Sequence, residues 1–153
     1  MTIKDKLNED LKNAMRAGDT ARRDALRMLL AAIKQGEVDT LDPQKRAGGL
    51  TDDEIIGILQ REAKRRRESI EQYTKGNRPD LVAHEQAELN LIENYLPQPM
   101  SRAEIEALAR QVIADTGATS PAQMGAVMQK VMPQVKGKAD GKLVNQIVRE
   151  LLK

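Results

Sequence analysis

Apolar residues recur at steps of three and four along most of the chain, which is the spacing of one face of an α-helix. The first such stripe lies between a Thr2 cap and Gly18, a residue typical of helix ends. Its members are Ile3, Leu7, Leu11 and Met15. No stretch of useful length alternates apolar and polar residues as a half-buried strand would. The pattern therefore predicts an all-α protein.

Three further helices are predicted in the first part of the chain. The second runs from an Asp19 cap to Gly36 and is followed by a loop over residues 37–50, which contain a proline and paired glycines. A capping box that begins at Thr51 opens the third helix. The fourth starts at Pro79, since proline suits the first turn of a helix.

The segment Pro97-Gln98-Pro99 is the sharpest boundary in the sequence, because two prolines so close together cannot continue a helix. It divides the chain into an N-terminal four-helix domain, residues 1–96, and a C-terminal three-helix domain, residues 97–153. In the second domain, helix starts are predicted at Ser101, at Ser120 and after Gly141. Pro133 is predicted to stop the middle helix.

Composition excludes several classes of protein. The chain has no cysteine, so disulfides and thiolate metal sites are ruled out. Its apolar runs are far shorter than the roughly 20 residues that cross a bilayer, so no membrane association is expected. The N-terminal segment MTIKDKLNEDLK mixes charges from the start and lacks the apolar stretch of a secretion signal. By elimination, a cytoplasmic location is predicted.

No arrangement of residues points to a catalytic site, a metal site or a cofactor. Neither glycine-rich phosphate-binding motif occurs, and no acidic residues have the spacing of a known metal motif. The only histidine, His84, lies four residues before Glu88. It is open to two interpretations: a general base oriented by a carboxylate, or an imidazole packed between helices with a local partner. Missing motifs do not by themselves exclude an enzyme.

An arginine run, Arg65 to Arg67, lies on the third predicted helix. The apolar stripe of that helix brings Arg66 or Arg67 to the core side, so one guanidinium is expected to be partly buried and paired with a carboxylate. The run is otherwise open to two interpretations, a phosphate contact or a solvated helix face.

Charge is distributed unevenly. Residues 1–96 carry 17 basic and 18 acidic side chains, whereas residues 97–153 carry 8 basic and 5 acidic. Across residues 117–149 the ratio is five basic to one acidic. Any polyanion partner is therefore expected at the C-terminal part of the chain.

The basic residues of that stretch surround a glycine-containing loop that precedes the last predicted helix. Glycines allow a positive φ or a close approach of a ligand, and a helix start favours anions. The candidate residues for binding a polyanion are Lys130, Lys136, Gly137, Lys138, Gly141, Lys142 and Arg149. A solvated turn capped by Asp140 is the alternative. No aromatic side chains accompany the lysines, in contrast to many readers of single-stranded RNA.

The segment MGAVMQKVMPQVKGKADGKLVNQIVRELL, residues 124–152, resembles the tail domain of GatB, the B subunit of tRNA-dependent amidotransferase, and above all the free-standing YqeY-like family. The pattern consists of Met124-Gly125, Met128, the turn Gly137–Gly141 and an apolar terminal helix. Further segments upstream also resemble the family, so that the resemblance spans nearly the whole chain. They are residues 11–15, 26–29, 65–70 and 93–97.

The resemblance implies an all-helical fold in two parts and a binding role, because the related GatB tail contacts tRNA while amide transfer takes place on other domains. The ATP-using and amidase parts of the amidotransferase have no counterpart here. Three functions stay open: an accessory protein that binds tRNA or another RNA; a component of glutamine-dependent carbon–nitrogen ligation that acts only with amidotransferase subunits; and a protein-interaction bundle. The last would use Met124, Met128 and Met132 as a contact surface, unless these residues belong to the core.

Overall fold

The computed structural model describes residues 1–153 and contains α-helices, one short 3-10 helix at Pro121–Gln123 and no strand. The prediction of an all-α fold is confirmed. The helices are α1 (Ile3–Ala17), α2 (Thr20–Asp39), α3 (Pro43–Arg46), α4 (Asp52–Lys75), α5 (Pro79–Glu93), α6 (Arg102–Thr116), α7 (Met124–Val135) and α8 (Gly141–Leu151).

The helices form two compact units, which we call the N-terminal unit, Met1–Leu96, and the C-terminal unit, Pro97–Lys153. Each has its own hydrophobic core. Leu7, Leu26, Ile33, Leu59 and Ile92 are among the buried residues of the first. The core of the second is built mainly from valine, isoleucine and alanine of α6, α7 and α8.

Helix starts follow the local sequence. At Thr51 the hydroxyl oxygen accepts a hydrogen bond from the Glu54 backbone N–H at 3.2 Å, and the Glu54 carboxylate accepts one from the Thr51 N–H at 2.9 Å. Ser101 and Glu104 form the same reciprocal pair. The two predicted capping boxes are confirmed, because each depends only on residues three positions apart.

The predicted end of α2 at Gly36 is wrong, since the helix continues to Asp39. A Cβ atom at residue 36 would lie 2.7 Å from Cδ1 of Ile58 on α4, so glycine here leaves room for the Ile58 side chain against α2 and does not end the helix. The extension buries Glu37, which is 1% exposed and forms ion pairs with Lys4 and Lys34. The predicted loop 37–50 also contains the short helix α3.

The predicted stop at Pro133 is wrong as well, because α7 runs through this residue to Val135. Proline removes one backbone hydrogen bond of a helix and strains the preceding turn. Here Val131 and Val135 on either side of it are fully buried in the core of the C-terminal unit. Tertiary packing of this apolar face offsets the local cost.

The Tyr95 hydroxyl donates a hydrogen bond to the Asp10 carboxylate, and Tyr95 as a whole residue is 9% exposed. Burial and the negative charge of Asp10 raise the pKa of Tyr95 to about 12, against an opposing effect of Arg22. Because the ordinary pKa is 10.0, the neutral phenol is favoured in the folded state. The associated stabilisation is complete below pH 10 and is lost as the pH rises towards 12.

We therefore expect the tyrosinate absorbance of the native protein to contain a component with a midpoint near pH 12. A spectrophotometric titration of the wild type and of Tyr95→Phe measures it, because the component belongs to Tyr95 and disappears in the variant. If the difference between the two titrations were centred at pH 10, it would contradict the contact between the Tyr95 hydroxyl and Asp10.

Candidate nucleic-acid interface

The loop between α7 and α8 begins with a tight turn over residues 135–138. Lys136 has φ −55° and ψ 123°, and Gly137 has φ 81°. The Lys138 N–H donates to the Val135 carbonyl at 2.8 Å. These values define a type II turn, in which the third residue needs a positive φ and is usually glycine. Glycine at position 137 is therefore explained by the backbone conformation of the turn, without the close approach of a ligand.

The rest of the loop is held by backbone hydrogen bonds. The carbonyl of Lys138 accepts from the Met100 N–H at 2.8 Å, which ties the loop to the start of the C-terminal unit. The Asp140 carboxylate caps α8 by accepting from the Lys142 N–H at 3.1 Å. Because both ends are held, the lysines of the loop project from an ordered backbone.

All five candidate cationic side chains are exposed to solvent. We call them the basic loop surface; they are Lys130, Lys136, Lys138, Lys142 and Arg149. None of them forms an ion pair, since both ion pairs of the C-terminal unit are made by Arg102, with Glu106 and Glu150. Their charge is therefore available to a partner.

The five cationic residues lie at different distances from the loop between α7 and α8. Lys136, Lys138 and Lys142 lie in the loop and in the first turn of α8. Lys130 lies on α7, about 7 Å of helix before its end. Arg149 follows Lys142 by seven residues, which places both on the same side of α8, about 10 Å apart along the axis.

The start of α8 is less suited to a free anion than the sequence suggested. Asp140 occupies it with a carboxylate, as in the alternative of a turn capped by this residue. Gly141 has helical geometry, and a Cβ atom there would only come within 3.6 Å of Cε of Met132. Recognition of an anion here would depend on the lysine side chains and much less on backbone N–H groups.

The three methionines of α7 are partly buried and pack against the core of the C-terminal unit. They are Met124, Met128 and Met132. Their position supports the interpretation as core residues and removes the main argument for a methionine-rich contact surface.

In the N-terminal unit the predicted buried arginine is Arg66, which is 7% exposed. Its guanidinium pairs with Glu62 and, at 3.3 Å, with Glu88. Glu88 also approaches Nε2 of His84 at 3.4 Å. His84 itself is exposed on α5, so it is not packed between helices, although the predicted partner is present.

No serine or cysteine nucleophile joins His84 and Glu88 by a hydrogen bond. No cluster of three or more His, Cys, Asp or Glu side chains has a geometry that could hold a metal ion. None of the helices is both long enough and apolar enough to span a bilayer.

Sequence reasoning missed polar contacts between distant segments, among them Tyr95 with Asp10 and Glu37 with Lys4. Both of these pairs join residues more than 30 positions apart. No local spacing indicates such pairs, because they depend on how the helices pack.

Comparison with known protein families gives one match, to the model described as Yqey-like protein, over residues 4–152. The chain is also similar to Altered inheritance of mitochondria protein 41, mitochondrial, from several yeasts. The protein of Lachancea thermotolerans is 34% identical over 128 residues, which cover 82% of this chain and 66% of that protein. That of Kluyveromyces lactis is 33% identical over 129 residues, with coverages of 82% and 66%.

A third relative, from Eremothecium gossypii, is 39% identical over 99 residues, which cover 64% of this chain and 51% of that protein. The chain thus spans at most 66% of the length of these relatives. All three are named as mitochondrial proteins, and this finding contradicts the predicted cytoplasmic location. That prediction was made by elimination, from missing signals, and no residue supported it directly.

Proposed function

The chain belongs to the YqeY-like family, and we propose that it is a helical accessory protein that binds tRNA or another RNA through the basic loop surface. The observation that carries the proposal is the set of three exposed, unpaired lysines at an ordered loop, to which the flanking helices add the exposed, unpaired Lys130 and Arg149. Lysine and arginine bind nucleic-acid phosphates and release their counterions, which supplies most of the affinity of such contacts.

The composition of the C-terminal unit favours structured RNA over single strands. Both tyrosines of the chain, Tyr73 and Tyr95, lie in the N-terminal unit, and phenylalanine and tryptophan are absent. The basic loop surface therefore has no aromatic platform on which unpaired bases could stack. Contacts to the phosphates of a folded RNA need no such platform, so a folded RNA such as tRNA fits this surface better.

We expect wild-type protein to bind tRNA with an affinity that falls steeply as salt is raised. Replacing Lys136, Lys138 and Lys142 together by Gln should reduce the slope of log affinity against log salt by about two to three, at roughly 0.7–0.9 per phosphate contact. Fluorescence anisotropy of labelled tRNA over a salt series measures the slope. The set of RNAs should include mitochondrial tRNA, since the relatives are named as mitochondrial proteins.

A matched control removes three exposed, unpaired cations from α1, by Lys6→Gln, Lys12→Gln and Arg16→Gln. It changes net charge by the same amount and should leave the slope within experimental error. The proposal fails if the wild type shows no salt-dependent binding. It also fails if the two triple variants lower the slope equally, since binding would then reflect net charge and not this surface.

A further inference from the structure

One face of the N-terminal unit combines two shallow grooves with an exposed methionine. A groove of about 600 Å³ lies between α2 and α4, over Ala32 and Gly36. A second of about 670 Å³ lies beside the later part of α4 and α5, next to Tyr73. Met28, with 52% of its surface exposed, and Arg65 line both grooves, so the two adjoin.

Charges on this face are separated along α4. In the middle of this helix lies the exposed Arg61, which lines the first groove and forms no ion pair. Beyond Arg65 the face is acidic, with unpaired Glu68 on α4 and unpaired Glu85 on α5. Arg65 itself contacts Glu62 at 3.3 Å but is 75% exposed, and an exposed pair of this kind is weak.

The buried Arg66 does not alter this separation, because it is neutralised by Glu62 and Glu88. Glu71 adds a further exposed carboxylate at the acidic end, and its pair with Lys75 at 3.2 Å is at least as exposed as that of Arg65 with Glu62. Along α4 the charges that have no partner of their own are therefore cations first and a carboxylate after them. Asp39 of α2, an exposed carboxylate that lines the groove at the cationic end, accepts a hydrogen bond from the side-chain amide of Gln35 at 2.7 Å.

We propose that two copies of this chain associate through this face, with their α4 helices antiparallel about a two-fold axis. A helix stripe that is basic at one end and acidic at the other is complementary to itself after such a rotation, as an isologous interface requires. If the two-fold axis passes between Arg66 and Arg67, Arg65 of each copy lies opposite Glu68 of the other copy. Arg61 of each copy then lies opposite Gln72 of the other.

The positions of these side chains on α4 suit the arrangement. Arg61, Arg65, Glu68 and Gln72 are spaced by four, three and four residues, so they form one stripe along the helix. The stripe extends about 16 Å, or three turns. Antiparallel contact would also cover Met28 twice, once from each copy, and remove its exposed apolar surface from water.

Charge-reversal variants test the proposal, because in a two-fold interface one substitution changes both symmetry-related pairs of Arg65 and Glu68. Sedimentation equilibrium of the full chain, treated with nuclease so that RNA cannot bridge copies, should show a dimer at micromolar concentrations. Arg65→Glu and Glu68→Arg should each weaken association by at least about tenfold, by opposing like charges. The double variant Arg65→Glu/Glu68→Arg should restore it.

Lys12→Glu, at an exposed position on α1, is the control and should leave association unchanged. The α-helical signal in circular dichroism checks that each variant is folded. If Arg65→Glu disturbs the fold, Met28→Lys at an exposed position provides the second test and should also give monomers. A wild type that stays monomeric overturns the proposal. So do single variants that remain dimeric, or a double variant that does not recover.

Discussion

Replacing Arg66 by Met is expected to destabilise the N-terminal unit by about 3–5 kcal/mol. Glu62 and Glu88, whose side chains are 15% and 13% exposed, would lose the guanidinium between them. Breaking a buried ion pair from one side is costly, because the remaining charges have been removed from water and have no partner. Arg66→Lys should recover only part of the loss, since an ammonium cannot reproduce the forked geometry of the guanidinium.

The neighbouring Arg67 provides a matched control. Its pair with Glu93 spans 3.5 Å between side chains that are 57% and 49% exposed, so Arg67→Met should change stability by less than about 1 kcal/mol. Urea unfolding followed by tyrosine fluorescence is the appropriate measurement, because both tyrosines lie in the N-terminal unit. Equal effects of the two methionine variants would contradict a special role for the buried charge cluster.

Replacing Ile147 by Ala is expected to destabilise the C-terminal unit by about 2–5 kcal/mol. Ile147 on α8 is 1% exposed and is among the largest side chains in a core made mostly of valine and alanine. A unit this small buries little apolar surface, so its free energy of unfolding is small. The C-terminal unit of the variant is therefore expected to be largely unfolded at moderate urea concentrations.

Circular dichroism follows this loss, since the C-terminal unit is helical and contains no aromatic residue. Ile147→Val, which removes one methyl group, is the control and should cost about 0.5–1.5 kcal/mol. A dichroism midpoint for Ile147→Ala that matches the wild type would show that this core does not depend on close packing at Ile147.

The surface that we propose for RNA could be found from the sequence because its parts are local. An excess of lysine over a short stretch, with glycines beside it, is visible without a structure. That the five cations lack ion-pair partners is a property of the folded unit, because a carboxylate from another helix could have neutralised any of them. Arg102 shows this, as its guanidinium reaches Glu150, 48 positions away.

Local sequence patterns determined the helices other than α3, their capping boxes and the all-α class, because spacing of three and four residues and hydrogen bonds at the caps involve only near neighbours. Tertiary packing decided whether Gly36 and Pro133 end a helix, and both continue it because the flanking residues pack against other helices. It also decided which arginine of the run is buried and which charges remain free. Those outcomes depend on side chains that meet only after the chain has folded, and no local pattern contains them.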